Sequence, residues 1–218
     1  MKQKIKKRAT SAIPIIANET ADLPELIDKL TKVIESTEWK YKSEFKELLQ
    51  KRDKALVALL ILSGLRVSEA LELKFSQVHK LFKCFTLTNV HTLKNGLVRD
   101  RILIPIDGSL GRLCIYFNEW YEYLEKQKNV DYLFPSACGF GLILNQPLSR
   151  YRAHRIIKTT SDKFPHWFRA VYENIYGHII FNNNPYKLKR CMGLKRLEST
   201  VPYIQADYEN DLAKVYLV

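Results

Sequence analysis

Hydrophobic and polar residues recur along this chain with two different periods, and the change of period separates predicted helices from predicted strands. Apolar residues at 26–34 lie at the spacing of one helix face, behind the start signal Asp22-Leu23-Pro24-Glu25, and predict a helix over about 22–36. A second helix is predicted over about 41–62. Its last turns are wholly apolar, so we expect them to be buried and to stop at Gly64.

The period shortens between residues 81 and 106. Two runs, 81–92 and 97–106, carry the β-branched and aromatic residues typical of strands, and Lys94-Asn95-Gly96 stands between them. Asn and Gly both tolerate a positive φ, which makes this pair a strong signal for a tight turn. The sequence therefore predicts an antiparallel β-hairpin with Lys94 at its tip.

The rest of the chain returns mainly to helical spacing. Residues 134–147 are predicted to be a loop, because Gly139 and Gly141 interrupt them and prolines flank them. Helices are predicted over 67–73, 110–125, 149–163, 166–176, 186–192, 202–208 and the tail. The predicted fold class is mainly α with a small antiparallel β-hairpin or sheet, an α+β arrangement.

Length and composition indicate one globular domain. The 218 residues are enough for one core, with 46% hydrophobic and 27% charged residues. We divide the chain into a basic arm at 1–21 and a domain at 22–218, which includes a tail helix at 207–218. The longest apolar run, 55–62, is too short to span a bilayer, and the four cysteines form no C-x-x-C or zinc-type spacing. We expect an intracellular protein, in the cytoplasm, the nucleoid or a host cell, with no membrane contact.

An excess of positive charge favours a polyanionic partner. There are 35 Lys and Arg against 23 Asp and Glu, a formal charge of +12. A solubilising lysine-rich surface would give the same excess. The basic run at residues 1–8 is open to two interpretations, a frayed arm or a tail that touches DNA phosphates. Neither a G-x-x-x-x-G-K-[ST] loop nor a G-x-G-x-x-G motif is present, so the sequence does not point to ATP or a dinucleotide.

Five residues spread over the predicted elements have the side chains that a metal-free attack on a phosphodiester needs: Arg66, Lys94, His166, Arg169 and Tyr203. Taken singly, each has a structural alternative. Arg66 could cap a helix or pair with Glu69, and Tyr203 is one of 12 tyrosines. Their order and spacing together favour a shared catalytic role.

The motifs that hold these residues resemble those of the tyrosine recombinase (phage integrase) family over about residues 22–208. The family's first box reads G-L-R-x-S-E, its lysine lies in a β-hairpin, its second box reads H-x-x-R, and M-G-H is followed by T-x-x-Y. The matching strings here are Gly64-Leu65-Arg66-Val67-Ser68-Glu69, Lys94-Asn95-Gly96, His166-Trp167-Phe168-Arg169, Met192-Gly193 and Thr200-Val201-Pro202-Tyr203.

The resemblance implies a site-specific DNA strand transferase that integrates, excises or resolves a mobile element. Tyr203 would attack a DNA phosphate and form a 3′-phosphotyrosyl bond. Arg66 and Arg169 would bind that phosphate with their guanidinium forks. Lys94 would protonate the leaving 5′-oxygen, and His166 would bond to the phosphate or help to deprotonate the tyrosine.

The resemblance also implies partners. Glu69 would orient the catalytic set, and neither a metal nor a cofactor is implied. The expected partner is double-stranded DNA, bound by a dimer or tetramer of the chain, whereas the free chain could be monomeric. Basic side chains expected to contact DNA are Arg150, Arg152, Arg155, Lys158, Lys195 and Arg196.

Two features depart from the family pattern. Leu194 stands nine residues before Tyr203, where the family has a His or Trp, and leucine supplies no hydrogen-bond donor. Loss of one such donor typically costs ~10²–10³ in rate, so the enzyme is slow, a neighbour such as Lys195, Arg196 or His178 substitutes, or activity has decayed. In addition, family members usually carry a core-binding domain where this chain has about twenty residues. The alternatives to a site-specific recombinase are a catalytically impaired DNA-binding protein derived from one and a type IB topoisomerase-like enzyme.

Overall fold

Two small antiparallel sheets are flanked by helices in the part of the chain that the structure describes. The computed structural model describes residues 23–35, 44–92, 96, 98–138, 141–161, 165–180, 182, 184–192 and 194. The helices are α1 (Leu23–Glu35), α2 (Lys46–Ser63), α3 (Val67–Leu71), α4 (Gly108–Glu125), α5 (Arg150–Ser161), α6 (Pro165–Asn174) and α7 (Pro185–Met192). The sheets have the orders β1-β2-β3 and β4-β5, with strands β1 (Val78–Lys80), β2 (Cys84–His91), β3 (Val98–Pro105), β4 (Pro135–Cys138) and β5 (Gly141–Pro147). The predicted fold class is confirmed.

Helix α2 is the centre of the hydrophobic core. Every residue from 55 to 63 is buried, because the sequence there is apolar on nearly all sides of the helix. The helix packs against α4, α6 and strand β3. It ends at Gly64, whose φ of 59° and N–H bond to the Leu60 carbonyl (3.2 Å) form a left-handed cap. The predicted burial and the predicted stop are both confirmed.

The predicted helices that fall on described residues are confirmed, with bounds that differ by a few residues. The helix predicted over 166–176 spans Pro165–Asn174 and continues as a π-helical turn, Ile175–Ile180. None of the described helices is long and apolar enough to cross a membrane. The arm at 1–21, the helix at 202–208 and the tail at 207–218 lie outside the described residues, so the division of the chain stays a prediction.

The sheets agree with the sequence in one hairpin and differ in the other. The predicted hairpin is confirmed as β2 and β3, which pair antiparallel along their length. Strand β1 is too short to show alternation, so the sequence does not predict it. The loop predicted over 134–147 is wrong, because β4 and β5 form a second hairpin there. Proline and glycine stand at the ends of its strands, at Pro135, Gly141 and Pro147, and Arg52 of α2 supports the hairpin by donating to the Pro135 carbonyl (3.0 Å). A contact between residues so far apart in the sequence produces no local sequence pattern that would predict the hairpin.

The β2–β3 hairpin changes its buried face halfway along. Leu87 and Val90 are both buried, although strict alternation would put them on opposite faces, and Asn89 between them has a φ of 52°. Their partners on β3, Ile102 and Arg99, are also both buried. The half of the hairpin nearer its tip therefore turns a different set of side chains, including Arg99, toward the interior.

Gly64 combines a left-handed backbone with a close approach to an aromatic ring. A Cβ at this position would lie 2.7 Å from Cγ of Tyr172 and closer still to its Cδ1. Gly96 has a similar φ of 63°, and no described residue lies within 4 Å of its Cβ position. Substitution of each glycine in turn therefore distinguishes the cost of backbone strain from the cost of overlap with the Tyr172 ring.

We expect Gly64→Ala to lower the free energy of unfolding by about 2–5 kcal/mol, because left-handed strain and overlap with the Tyr172 ring add together. Gly96→Ala should cost the strain alone, about 1–2 kcal/mol. Chemical denaturation of the two variants measures the difference. Equal losses would show that the ring does not constrain Gly64.

Candidate active site around Arg66 and Glu69

Arg66 stands at the N-terminal end of α3 and is held there by Glu69. The backbone N–H of Arg66 donates to Glu69 Oε2 (2.9 Å), and its Nη1 donates to Oε1 (2.7 Å). A carboxylate three residues into a helix is the usual partner for the unpaired N–H groups of the first turn, which explains the spacing of the two residues. The Glu69 side chain is fully buried, while that of Arg66 keeps 26% of its surface exposed. Arg66 is thus both oriented and accessible.

Arg169, the second arginine of the predicted set, lies beside the same segment. Its Nη1 donates to the Gly64 carbonyl (2.6 Å), and its Nη2 donates to the Met192 carbonyl at the end of α7 (3.2 Å). Its Nε lies 3.3 Å from Oε1 of Glu173, one turn further along α6. The side chain is almost fully buried. Arg169 therefore joins three elements: the segment before Arg66, helix α6 and the end of α7.

Arg99, which none of the sequence motifs contains, is a third arginine at this site. Its Nη2 lies 3.3 Å from Glu69 Oε2, and its Nη1 donates to the Cys191 carbonyl (3.2 Å). Burial lowers the pKa of Arg99, the Glu69 carboxylate raises it in part, and the charge of Arg169 lowers it further. Strict alternation from Ile102 would place Arg99 on the outer face, so the local sequence carries no signal for its burial.

The electrostatic balance of this cluster is positive. Three guanidinium groups, those of Arg66, Arg99 and Arg169, meet two buried carboxylates, those of Glu69 and Glu173. Three positive charges against two negative charges leave a formal excess of one. A site with such an excess and one accessible guanidinium suits an anionic group such as a phosphate.

Two tyrosines, Tyr172 of α6 and Tyr176 of the π-helical turn that follows it, pack near Cys191 of α7. The Tyr172 hydroxyl lies 2.6 Å from Cys191 Sγ, and the rings of Tyr172 and Tyr176 stack with centroids 4.1 Å apart. Burial raises the pKa of Tyr172 well above its usual value and raises that of Tyr176 as well. Burial also raises the pKa of the Cys191 thiol. These groups stay neutral near pH 7, so they pack the site and are poor nucleophiles.

The remaining predicted site residues are placed only in part. The backbone of His166 lies in the first turn of α6, and its side chain lies outside the described part of the structure. Leu194 is partly buried, packs against the core and donates its N–H to the Lys189 carbonyl (3.0 Å). The predicted residues that lie outside the described ranges are Lys94, Tyr203, Lys195 and Arg196. Among the residues that are described, no group of three or more His, Cys, Asp or Glu could hold a metal ion.

Helix α5 presents a basic face to solvent. Ala153, Ile156 and Ile157 bury one side of it, and the four predicted DNA contacts all lie on the exposed side: Arg150, Arg152, Arg155 and Lys158. Within the described ranges, Arg150, Arg155 and Lys158 form no ion pair with a carboxylate.

Two carboxylates of α4 contrast with this face, because each of them has a cationic partner. Glu119 pairs with Lys51 at 3.6 Å, and Glu122 pairs with Lys80 at 2.9 Å. Among the described residues, Arg150, Arg155 and Lys158 of α5 have no such carboxylate partner, so their charges are available to an external anion.

Comparison with known proteins shows the following similarities. Residues 27–210 match the model of the phage integrase family. The XerH site-specific recombinase, solved bound to difH substrate in a pre-cleavage complex, aligns with a TM-score of 0.59 and 19% identity, over 82% of this chain and 48% of that one. XerH in a post-cleavage complex with palindromic difH substrate aligns with a TM-score of 0.64 and 18% identity, over 92% and 56% of the two chains.

A third solved structure, XerA recombinase, aligns with a TM-score of 0.53 and 18% identity, over 86% of this chain and 62% of that one. At such identities the likeness concerns the fold. The chain spans about half the length of the XerH structures, 48% and 56%. No curated protein matches the sequence.

We expect Glu69→Gln to lower the free energy of unfolding by about 3–5 kcal/mol, because it leaves the buried Arg99 without its carboxylate. The matched control is Glu122→Gln, which breaks a half-exposed pair with Lys80 and should cost at most about 1 kcal/mol. Denaturant midpoints at neutral pH compare the two. A similar small loss in both variants would show that Glu69 does not hold the arginine cluster together.

Proposed function

The chain belongs to the phage integrase family, and from that premise we propose that it cleaves and rejoins DNA strands at specific sites through a covalent phosphotyrosyl intermediate. The observation that carries the proposal is the cluster of Arg66, Arg99 and Arg169 around Glu69, with Arg66 open to solvent. A phosphodiester in transfer gains negative charge on its non-bridging oxygens, and preorganised guanidinium groups are suited to stabilise it.

The proposed reaction has Tyr203 as its nucleophile. Its hydroxyl oxygen forms a bond to phosphorus while the bond from phosphorus to the 5′-oxygen breaks, which leaves a 3′-phosphotyrosyl bond and a 5′-hydroxyl. A free tyrosine has a pKa of about 10, so its proton must be accepted during attack, and we assign that task to His166. Lys94 donates the proton that the leaving 5′-oxygen takes up. The reverse sequence rejoins a strand without an external energy source.

Arg66 and Arg169 bind the scissile phosphate in this proposal. Arg66 has the exposure that contact with DNA requires, and Glu69 fixes its direction. Arg169 is bonded to the Gly64 carbonyl, two residues before Arg66, so its charge belongs to the same site. The Glu69 carboxylate would repel a phosphate, and both of its oxygens already accept from Arg66 or Arg99, which suits a residue that orients others.

We further propose that the basic face of α5 contacts the phosphate backbone of double-stranded DNA. The face is exposed along the helix, and Tyr151 and His154 extend it. Strand exchange needs more than one active site, so we propose that several copies of the chain assemble on DNA. Lys195 and Arg196 are proposed as additional phosphate contacts.

A second candidate function is that of a DNA-binding protein with impaired cleavage. The observation that favours it is Leu194, whose side chain packs against the core and supplies no hydrogen bond to a phosphate. Leu194→His discriminates between the two. A faster cleavage reaction in the variant identifies an intact site that lacks one donor, whereas salt-dependent DNA binding without cleavage in either protein supports the second candidate.

We expect the protein to form a covalent adduct with DNA that survives denaturation. The probe is a pool of nicked duplexes with a randomised central sequence, which lose a short 5′-hydroxyl fragment on cleavage and so cannot be rejoined. Adducts should form in the presence of a chelator, and sequencing of the trapped DNA identifies the site. Tyr203→Phe should form none, because the ring keeps its shape and loses the nucleophile. Adducts at the wild-type rate in that variant would show that another residue attacks.

The basic face of α5 should determine the salt dependence of DNA binding. Each phosphate contact contributes about 0.9 to the slope of log K against log salt, so replacement of Arg150, Arg155 and Lys158 by Gln should reduce the slope by about 3. The matched control replaces three exposed cations of α4 and its C-terminal end: Arg112, Lys126 and Lys128. Titrations at several salt concentrations measure both slopes. Equal reductions would contradict a specific role for α5.

A further inference from the structure

Arg99 is a buried cation whose position packing does not require. Arg99 and Leu103 are four residues apart on β3, so regular alternation would place them on the same face of the strand. Leu103 is half exposed, yet the Arg99 side chain is only 4% exposed. Its Nε is buried and has no hydrogen-bond partner among the residues that the structure describes, although both terminal nitrogens are bonded. Burial of a charge with an unsatisfied donor is costly, and a hydrophobic residue would fill the space without that cost. Such a residue is a candidate for a functional role.

The two bonds of Arg99 connect the hairpin to both sides of the candidate site. Glu69 Oε2, which it contacts at 3.3 Å, also accepts the N–H of Arg66. The Cys191 carbonyl, which it contacts at 3.2 Å, lies in the last turn of α7, three residues before Leu194. One side chain of the hairpin thus touches the residue that orients Arg66 and the helix that leads into the Tyr203 segment.

Arg169 makes a second tie of the same kind. It bonds to the Gly64 carbonyl and to the Met192 carbonyl, each within a few residues of the groups that Arg99 bonds to. The two arginines therefore join the same two segments in parallel. Arg99 alone extends the tie to β3, whose first residue, Val98, follows the loop that carries Lys94.

We propose that Arg99 is a positioning residue that holds the β2–β3 hairpin, and with it the Lys94 loop, in register with Glu69 and the end of α7. The inference rests on the proposed function, from which Lys94 takes its role as the proton donor. A displacement of about 1 Å in a catalytic group can cost about 10²-fold in rate. A guanidinium fork reaches two acceptors at a fixed separation, which a lysine ammonium does not reproduce.

The first test measures adduct formation in a single turnover, at saturating concentrations of a duplex selected from the randomised pool. Arg99→Met should be about 10²-fold slower than the wild type, with unchanged DNA affinity, because the side chain does not reach the surface. Arg99→Lys keeps the charge and should recover part of the rate. The matched control, Arg112→Met, removes an exposed arginine that pairs with Asp28 and should react as the wild type does. Wild-type rates in Arg99→Met would overturn the proposal.

A substrate with sulfur in place of the bridging 5′-oxygen tests whether Arg99 acts through Lys94. A thiol has a pKa of about 8.5, so the leaving group departs as a thiolate and needs no proton donor. Lys94→Ala and Arg99→Met should both regain most of their lost rate on this substrate, whereas Arg66→Ala should stay slow. If Arg99→Met is as impaired with sulfur as with oxygen, Arg99 does not act through the Lys94 loop and the proposal is wrong.

Hydrogen exchange separates this proposal from the proposed function. If the wild type forms no adduct with any duplex in the pool, the proposed function fails, and the tie made by Arg99 is still measurable. Arg99→Met should speed exchange in β3 and α7 and leave α4 unchanged, and Arg112→Met should change neither β3 nor α7. Unchanged exchange in β3 would overturn the proposal. If Arg99→Met does not fold, Arg99→Lys takes its place in all three measurements, with smaller changes in the same direction.

Discussion

The buried carboxylate of Glu69 is the contact on which the arrangement of the site depends. It is fully buried and accepts from the backbone and the guanidinium of Arg66, while its second oxygen also faces Arg99. Without it, two positive charges would stand together near the start of α3, one of them out of reach of solvent. The desolvation of Glu69 is offset by its short bonds to Arg66, 2.7 and 2.9 Å, and by the longer contact with Arg99 at 3.3 Å. One acidic residue therefore sets the direction of the exposed arginine and stabilises the buried one.

Arg169 connects the site to the rest of the domain, again through a buried charge with a carboxylate partner. Arg169 is buried and bonded to backbone carbonyls on two segments, and Glu173 balances its charge. The segment it holds begins at Gly64, where α2 stops against the Tyr172 ring. The hydrophobic core supplies the rigid base, since α2 is buried on every side over its last turns. A site that binds a charged ligand benefits from such a base, because its donors are already in place before the ligand arrives.

Periodicity predicted most of the elements and composition predicted little of the site. Helices of ten or more residues repeat their apolar spacing several times, and the Asn-Gly pair predicts a tight turn between two strands. A single sequence is therefore enough to predict the long helices and the β2–β3 hairpin. Strand β1 has only three residues, and strand β5 has seven but does not alternate buried and exposed side chains, so neither shows the period of a strand. The β4–β5 hairpin is supported by Arg52, which lies more than eighty residues away in sequence. Sequence motifs predict Arg66, Arg169 and Glu69 as site residues, but they do not predict Arg99. The positive φ of Asn89 on β2 accompanies a change in the buried face of the β2–β3 hairpin, and this change puts Arg99 of β3 in the interior.

The sequence alone determined the order of the helices, the place of the first hairpin and the kinds of side chain from which a phosphate site could be built. These depend on local spacing and on chemistry that each residue carries with it. Only the tertiary structure decided which of those side chains meet, how buried each of them is, and that a third arginine joins them. Burial and contact depend on segments far apart in the chain, and a local pattern contains no record of its distant neighbours. Arg99 shows this most directly, since the two groups it bonds to lie thirty residues before it and ninety-two residues after it.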